Sequence, residues 1–422
     1  MSYWFTDAAV KDRLPLSGAS AIRGMSLSFS IPRLFMGPNA LSEIRGGGAN
    51  VFEAVGSKCA QRRAFVVTDK YAGRYANRVC AAMQRRRFTT EVWDGAEPEA
   101  PLESVKECAE SMNQFEPDAI VALGGGSVID SAKAAWILYE RPDITDLATL
   151  SPMRPLGLRN KAVFVAIPTT SGTGSDCTAV AVVTDTKAKR KIPIVGGDLL
   201  PDFSILVPDL VSGMPPHLTA GTGLDALAHS MDCVTSPMTN DFTDAMALRA
   251  IQMIFKYLPR AYHDGADHEA RLRMHMAASM AGIAFGNGGV ALTHSMGHSL
   301  GKLFAVHHGI AVGILIPYAY QYYSTVTDKY LDICDALNIR GNTSEERFAG
   351  LIEKVRTLFK ELDIPLALKD LGISEKDFEE NLGKLSLYSV EDPSAFQSPR
   401  SATIEQCEKL FRYAYEGKDV DF

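Results

Sequence analysis

The stretch that decides the fold of the first half of the chain is DAIVALGGGSVIDSAKAAW, residues 118–136. Its first residues form a short apolar run that is typical of a buried strand. Three consecutive glycines follow, and Ser127 then opens a helical pattern. Glycines let a phosphate approach the backbone, and a helix N-terminus supplies free N–H groups. The stretch therefore predicts a phosphate-binding turn between a strand and a helix, although it is not GxGxxG and a turn without ligand is the alternative.

The sequence around this turn alternates between strand and helix patterns. Short apolar runs bounded by turn residues predict further strands at 27–37, 63–69, 162–167 and 178–184. Apolar residues three and four apart predict helices within 102–115 and 128–139. Such alternation implies a parallel, Rossmann-like sheet covered on both faces. The glycine run GGGAN, residues 46–50, follows no convincing strand and is interpreted as a loop.

The character of the sequence changes near residue 210. Helical spacing dominates from residue 220 to residue 416, and the junction PDLVSGMPP, residues 208–216, contains three prolines. We therefore expect a dinucleotide-binding α/β domain over residues 1–210. An all-helical, metal-binding and catalytic domain is expected over residues 211–422.

Composition excludes several classes of protein. The 422 residues carry a net charge of −7, with 46% hydrophobic and 22% charged residues, which is ordinary for a globular protein. The acidic balance argues against a nucleic-acid partner, and no apolar stretch is long enough to predict a membrane span. Seven scattered cysteines without a CxxC favour reduced thiols, and no secretory signal is visible, so a cytoplasmic protein is expected.

A second polar cluster, IPTTSGTGSD at residues 167–176, directly follows a predicted strand. Hydroxyl residues and glycines at the carboxyl end of a strand suit nucleotide contacts in an α/β fold. A solvated turn explains the same composition nearly as well. This cluster therefore supports a nucleotide site only together with the glycine turn.

The second half contains a candidate metal site. Asp225 and His229 are four residues apart in LDALAHS, and His294 and His298 repeat that spacing in LTHSMGHSLG. Residues four apart share a face of a helix. His308 follows within VHHGIAVG, next to His307. Histidine and aspartate sets of this kind bind divalent metals, whereas one isolated pair would more often be a surface contact.

Taken in order along the chain, these motifs resemble the iron-containing, or group III metal-dependent, alcohol dehydrogenases. The resemblance covers roughly residues 30–415. It rests on five motifs, namely VTD (67–69), GGGSVIDSAK (124–133), PTTSGTGSD (168–176), GTGLDALAHSMD (221–232) and HSMGHSLGKLFAVHHG (294–309). The family implies a dinucleotide-binding α/β domain, a helical metal domain and an active site in the cleft between them.

The resemblance also implies roles for individual residues. Asp225, His229, His294 and His308 match the metal ligands, and only the family register favours His308 over His307. His298 matches a catalytic histidine that does not bind the metal and relays protons or positions the nicotinamide. The positions that match cofactor contacts are Asp69, Gly125, Gly126, Ser127, Thr169, Thr170, Thr178, Lys191 and Leu210. Asp69 is expected to face the adenosine ribose, although it precedes the glycine turn, whereas the usual dinucleotide fingerprint places its acid ~20 residues after it.

The implied activity is hydride transfer between NAD(H) and a small alcohol or aldehyde. Four protein ligands would fill a tetrahedral zinc but leave room on Fe²⁺, so Fe²⁺ is expected, with Zn²⁺ or Mn²⁺ possible. The alternatives are a zinc-dependent polyol dehydrogenase of the glycerol type, a dehydroquinate-synthase-like cyclase, and a nucleotide-binding protein without activity. We also expect a homodimer or larger homo-oligomer. The role of the first 25 residues, which the family does not usually carry, stays open.

Overall fold

The computed structural model describes residues 28–42, 50–152, 154–188 and 190–422. Within these ranges the chain divides into two compact units, residues 30–213 and residues 214–422. The N-terminal 25 residues and most of the glycine run at 46–50 lie outside the described residues, so the expectations for them are not examined by the structure.

The first unit is built around a six-stranded parallel sheet. The described part of this unit has eight strands, of which β6 and β7 form a separate pair: β1 (Arg33–Met36), β2 (Arg63–Thr68), β3 (Thr89–Trp93), β4 (Ala119–Gly124), β5 (Val163–Pro168), β6 (Val180–Asp185), β7 (Arg190–Val195) and β8 (Phe203–Leu206). The order in the sheet is β1-β8-β5-β4-β2-β3, and every pair in it is parallel. From β2 the chain continues to β3 on one side, and from β4 it continues to β5 on the other side. The strand order therefore reverses between β2 and β4, and α/β sheets bind ligands at such a switch point.

Helices cover both faces of this sheet. They are α1 (Val51–Gly56), α2 (Ala76–Gln84), α3 (Leu102–Phe115), α4 (Gly126–Glu140) and α5 (Pro208–Val211). Phe65 and Val67 point into a core with α3 and α4, whereas Ala64 and Val66 point into a core with α1 and α2. Burial on both faces explains why the central strands are continuous apolar runs without alternation.

One predicted strand has a different partner from the one expected. The run at 178–184 corresponds to β6, which pairs antiparallel with β7 instead of joining the parallel sheet. Only residues 186–189 separate these two strands, and four residues are too few for the crossover that a parallel pair requires. The sequence also gave no signal for β3, whose side chains are mostly exposed or half-buried at the edge of the sheet.

The second unit is helical in its described residues. Its α-helices are α6 (Pro216–Thr235), α7 (Asp241–His263), α8 (His268–Gly288), α9 (Leu292–Phe304), α10 (His308–Gly313), α11 (Ile316–Tyr323), α12 (Tyr330–Ala336), α13 (Ser344–Glu361), α14 (Glu375–Glu391) and α15 (Ile404–Glu416). One apolar core runs through them. This confirms the predicted fold class, an α/β part followed by a helical part. Within the described ranges, no helix is both long and apolar enough to cross a membrane.

The cysteines fit the expectation of reduced thiols. All seven lie within the described residues, are buried and form no disulfide. Burial raises the pKa of several of these thiols, for example that of Cys59 to about 12. They are therefore packing residues and not candidates for nucleophilic chemistry.

Candidate metal and nucleotide sites

The glycine turn of the first unit lies at the carboxyl edge of the sheet, where β2, β4 and β5 end side by side. Gly124 pairs with Pro168, and the backbone N–H of Thr169 donates to the Gly124 carbonyl at 2.9 Å. Helix α4 begins at Gly126, one residue earlier than the expected start at Ser127, with Gly125 as its N-cap. The register therefore brings Gly125, Gly126, Thr169 and Thr170 together, as a nucleotide site requires.

Close packing explains why this turn consists of glycines. A Cβ on Gly126 would lie 2.7 Å from the Thr173 methyl carbon, and one on Gly125 would lie 3.2 Å from that of Thr170. The Gly125 N-cap offers no side chain to the first N–H groups of α4. Those groups and the positive end of the helix dipole suit a phosphate.

A buried lysine connects α4 to the segment that follows β5. The Lys133 ammonium donates to the carbonyls of Ser175, Thr178 and Val180 at 2.7 to 2.8 Å. Burial lowers the pKa of Lys133 to about 8, against the opposing effect of the nearby Asp130. The three hydrogen bonds thus fix the backbone at Thr178, one of the expected cofactor contacts.

Asp69 directly follows β2, and its side chain stabilises the turn that comes next. Its Oδ1 accepts hydrogen bonds from the backbone N–H groups of Tyr71 and Ala72, at 2.8 and 2.6 Å. This is an Asx turn at the start of the 3₁₀ helix Ala72–Tyr75. Both hydrogen bonds use Oδ1, and the side chain lies just after the end of β2, beside the point where the strand order of the sheet reverses.

The remaining candidates for cofactor contacts, Ser127, Lys191 and Leu210, lie on three different elements. The Ser127 hydroxyl accepts from the Glu99 backbone at 3.1 Å. Lys191 is an exposed residue of β7, opposite Thr184 in the β6–β7 hairpin. Leu210 is 2% exposed and packs in the core of the first unit, and its backbone N–H donates to the Val207 carbonyl at 3.1 Å.

In the second unit, three buried side chains bring atoms that could bind a metal close together. Nδ1 of His229 and Nε2 of His294 have no hydrogen-bond partner among the described residues, and the contact of Oδ1 of Asp225 is with a further imidazole, that of His308. Atoms that these three side chains offer to a metal lie within 4.8 Å of one another. Buried polar atoms without a partner are costly, and a carboxylate with two imidazoles is a suitable donor set for a divalent transition metal. The residues present therefore fit a metal ion.

The charges of this cluster suit the same role. Burial, which penalises imidazolium, lowers the pKa of His229 to about 3. Burial alone would raise the pKa of Asp225, but the imidazoles of His229 and His308 outweigh it and hold that pKa below its ordinary value. At neutral pH, Asp225 is therefore ionised and His229 is neutral, the states in which these side chains bind a metal.

His308 lies beside this group at the start of α10. Its Nε2 is 3.2 Å from Oδ1 of Asp225, whereas the His307 ring lies against Gly221. His308 is outside the compact group of three, and its side chain is 40% exposed. The contact with Asp225 places the His308 ring next to the group of three.

Glycines allow the helices that carry these residues to approach. A Cβ on Gly309 would lie 1.9 Å from the Gly221 carbonyl oxygen, so α10 and α6 touch through their backbones. Asp225 lies one turn after Gly221, and His308 directly precedes Gly309. The glycines of the two motifs therefore serve the geometry of the histidine and aspartate cluster.

Two models of known protein families match this sequence, one in each half of the chain. The model of the family described as iron-containing alcohol dehydrogenase matches residues 46–208. The model of the C-terminal part of the Fe-containing alcohol dehydrogenase family matches residues 219–415. This chain belongs to the iron-containing alcohol dehydrogenase family. It is accordingly an oxidoreductase that acts on alcohols, as the resemblance implied.

Individual relatives of this alcohol dehydrogenase cover nearly its full length. It is 36% identical over 399 residues to the NADPH-dependent butanol dehydrogenase of Clostridium saccharobutylicum, covering 94% of this chain and 100% of the relative. A solved 1,3-propanediol oxidoreductase is 30% identical with a TM-score of 0.84, over 92% of this chain and 100% of the other. The sulfoacetaldehyde reductase of Bifidobacterium kashiwanohense, solved with NAD⁺, is 25% identical with a TM-score of 0.78, over 93% and 99%.

Two carboxylates that contact histidines of the candidate site were not found from the sequence. Asp232 is fully buried, and its Oδ2 lies 2.8 Å from Nδ1 of His294. Asp392 lies 2.9 Å from Nδ1 of His298 through its own Oδ2. Asp232 could have been noticed, because it follows His229 by three residues on the same helix. Asp392 is 94 residues from His298, and no spacing rule connects them.

Proposed function

We propose that this protein is an NAD(H)-dependent, divalent-metal alcohol dehydrogenase and aldehyde reductase, with Fe²⁺ bound by Asp225, His229, His294 and His308. The observation that carries the proposal is the buried cluster of Asp225, His229 and His294, whose ligand atoms lie within 4.8 Å of one another. Among the described residues, Nδ1 of His229 and Nε2 of His294 have no hydrogen-bond partner. The first unit is proposed to bind the dinucleotide, and the second to bind the metal.

The chain's own residues would contribute binding, orientation and proton handling. A divalent ion supplies Lewis acidity toward an alcohol or carbonyl oxygen, and a nicotinamide exchanges hydride. The N–H groups at the start of α4 bind the pyrophosphate, and Thr169 and Thr170 line the same edge. His298, whose side chain is 41% exposed, is proposed to take the proton released from the alcohol and pass it to water.

The proposal of Fe²⁺ follows from the number of ligands. A catalytic zinc ion keeps three protein ligands and one open position in a tetrahedral site. Four ligands from Asp225, His229, His294 and His308 would fill that coordination shell. An ion that favours higher coordination retains room for a substrate oxygen, and imidazole with carboxylate suits iron.

The names of the relatives point to both NAD and NADP as cofactors. The butanol dehydrogenase is NADPH-dependent, whereas the sulfoacetaldehyde reductase was solved with NAD⁺. We propose NAD(H) because the Asp69 carboxylate would repel the extra phosphate of NADP near the adenosine ribose. An unpaired like charge in a partly desolvated site costs on the order of a few kcal/mol, so NADH should be preferred by roughly tenfold or more.

Replacing Asp69 with asparagine tests this preference. Asparagine retains a carbonyl oxygen for the Asx turn with Tyr71 and Ala72 but removes the charge. We expect the kcat/KM ratio for NADH over NADPH to fall by roughly tenfold at unchanged melting temperature. Asp69→Gly, which loses the turn as well, should shift the ratio and also lower stability. An unchanged ratio in both variants, with lower stability in Asp69→Gly alone, would show that Asp69 only caps the 3₁₀ helix.

The substrate class can be examined directly. The names of the relatives include butanol, propanediol and sulfoacetaldehyde, which differ in polarity and charge. We propose a small aliphatic alcohol or aldehyde as substrate. The experiment is a panel of butyraldehyde, 3-hydroxypropionaldehyde and sulfoacetaldehyde with NADH or NADPH, followed at 340 nm after anaerobic loading with Fe²⁺ and, separately, Zn²⁺. Turnover that is highest with Fe²⁺ supports the proposal, and activity with Zn²⁺ alone would favour the zinc alternative.

A further inference from the structure

His298 is held by a carboxylate from a distant part of the chain. His298 lies on α9, and its Nδ1 is 2.9 Å from Oδ2 of Asp392, the residue that follows α14. We propose that Asp392 is a positioning residue that fixes the tautomer and the ring orientation of His298, so that Nδ1 carries the proton of the neutral ring and Nε2 carries its lone pair. This inference rests on the role proposed above for His298.

The chemistry of the pair determines the tautomer. A carboxylate only accepts hydrogen bonds, so Nδ1 of His298 must carry the proton that lies between the two groups. In a neutral ring, Nε2 then carries the lone pair that can accept a proton. The neighbouring imidazole also opposes the effect of burial and holds the pKa of Asp392 below its ordinary value, which keeps the carboxylate ionised.

The Asp392 side chain is also held by a contact that does not involve His298. Its Oδ1 accepts from the Ser394 backbone at 2.8 Å and caps the 3₁₀ helix Pro393–Gln397. Gln397 at the end of that helix accepts from the Val290 backbone at 2.9 Å, just before α9. The carboxylate is therefore preorganised by its own backbone, and one oxygen is left to orient the histidine.

The hydrogen bond to Asp392 also prevents Nδ1 of His298 from acting as a metal ligand. Its ring stacks on His308 with centroids 5.3 Å apart and meets His294 edge-on at 6.1 Å. With Nδ1 engaged by Asp392, that nitrogen cannot join the ligand group. His294 uses the same device toward Asp232, but that pair is completely buried, whereas the His298 side chain is 41% exposed and can exchange protons with water.

The test uses Asp392→Ser in the iron-loaded enzyme. Serine is an equally good N-cap, so the 3₁₀ helix keeps its first hydrogen bond while His298 loses its partner. We expect kcat to fall by about tenfold or more. The loss should not exceed the ~10²- to 10⁴-fold that a general base contributes. KM for NADH and iron content should stay at the wild-type values. Asp392→Asn, which preserves shape and capping but not the charge, is a second variant in case the serine variant folds poorly, and should lose kcat in the same way.

A double-mutant cycle with His298→Ala separates positioning from general structural support. If Asp392 acts through His298, Asp392→Ser should lower kcat no further in the His298→Ala background. Asp267→Ser is the matched control, because Asp267 also caps a helix with one oxygen and pairs with the other, but its partner is Arg260. That control should keep the wild-type kcat.

The outcomes are distinguishable. Wild-type kcat in both Asp392 variants, together with a large loss in His298→Ala, overturns the positioning role alone. Equal losses from Asp392→Ser with and without His298 also overturn it, because they would reveal a purely structural role. Wild-type kcat in His298→Ala refutes the proposed proton relay, and the inference about Asp392 falls with it.

Discussion

At the scale of single residues, the cluster depends on which nitrogen each histidine presents. Asp232 accepts from Nδ1 of His294 and from the backbone N–H groups of Ala291 and His294. The ring of His294 therefore offers Nε2 to the cluster, and this nitrogen has no hydrogen-bond partner in the described part of the chain. Outer partners of this kind fix the tautomer of a metal-binding histidine and raise its basicity.

Asp232→Asn should weaken metal binding without unfolding the helical unit. Asparagine can keep an acceptor for the backbone of Ala291, but it removes the charge beside the His294 ring. We expect the dissociation constant for Fe²⁺ to rise by about 10- to 100-fold. Metal titration under anaerobic conditions measures this, with circular dichroism as the control for folding. An unchanged affinity would mean that Asp232 serves the fold and not the metal.

The metal-free protein should become less stable in mild acid because of His229. Its pKa is about 3 in the folded state, below the ordinary value of 6.5. As pH falls below 6.5, the unfolded chain binds a proton at this position and the folded chain does not, so the stability present above pH 6.5 is lost. From pH 7 to pH 5 this amounts to about 2 kcal/mol in the free energy of unfolding.

Urea denaturation of the metal-free protein at pH 7 and pH 5 measures this dependence. The His229→Gln variant is the comparison, because it cannot titrate at this position. Its unfolding free energy should change less between the two pH values, by the amount attributed to His229. An equal change in both proteins would place the acid sensitivity elsewhere.

At the scale of elements, local sequence patterns predicted the helices and turns best where one residue spacing or one turn determines the structure. The spacing of Asp225 and His229 indicated one face of a helix, and α6 places them so. The glycine turn at 124–126 was predicted from local sequence because a strand must end where glycines follow it. The antiparallel pairing of β6 could not be read from its composition, because its sequence VAVVTD is mostly apolar although its side chains alternate between buried and half-buried.

Gly309→Ala should disrupt the contact between α6 and α10. The added carbon would meet the Gly221 carbonyl at 1.9 Å, so one helix must move. We expect a loss of about 3 kcal/mol or more of stability, together with weaker metal binding, because His308 and Asp225 lie at this contact. The control is Gly383→Ala in α14, where the added carbon meets nothing within 4 Å. That variant should gain about 0.5–1 kcal/mol from helix propensity, and thermal denaturation measures both.

At the scale of the whole molecule, the sequence alone predicted the class of fold more completely than the site. Asp225 and His294 could be named from their motifs, but their convergence depends on packing of α6 against α9 and α10. The carboxylates of Asp232 and Asp392 act on histidines far away in sequence. Such contacts follow from tertiary packing, which one sequence does not encode in any local spacing.

The central claim is that the Asp225, His229, His294 and His308 cluster holds the metal that the reaction requires. Metal analysis of His294→Ala after anaerobic loading with Fe²⁺ tests it most directly, with His263→Ala, an exposed histidine at the end of α7, as the matched control. We expect His294→Ala to lose most of its iron and its turnover but to bind NADH as the wild type does, because the nucleotide turn belongs to the first unit. His263→Ala should keep both iron and turnover. Full iron occupancy in His294→Ala would contradict the assignment.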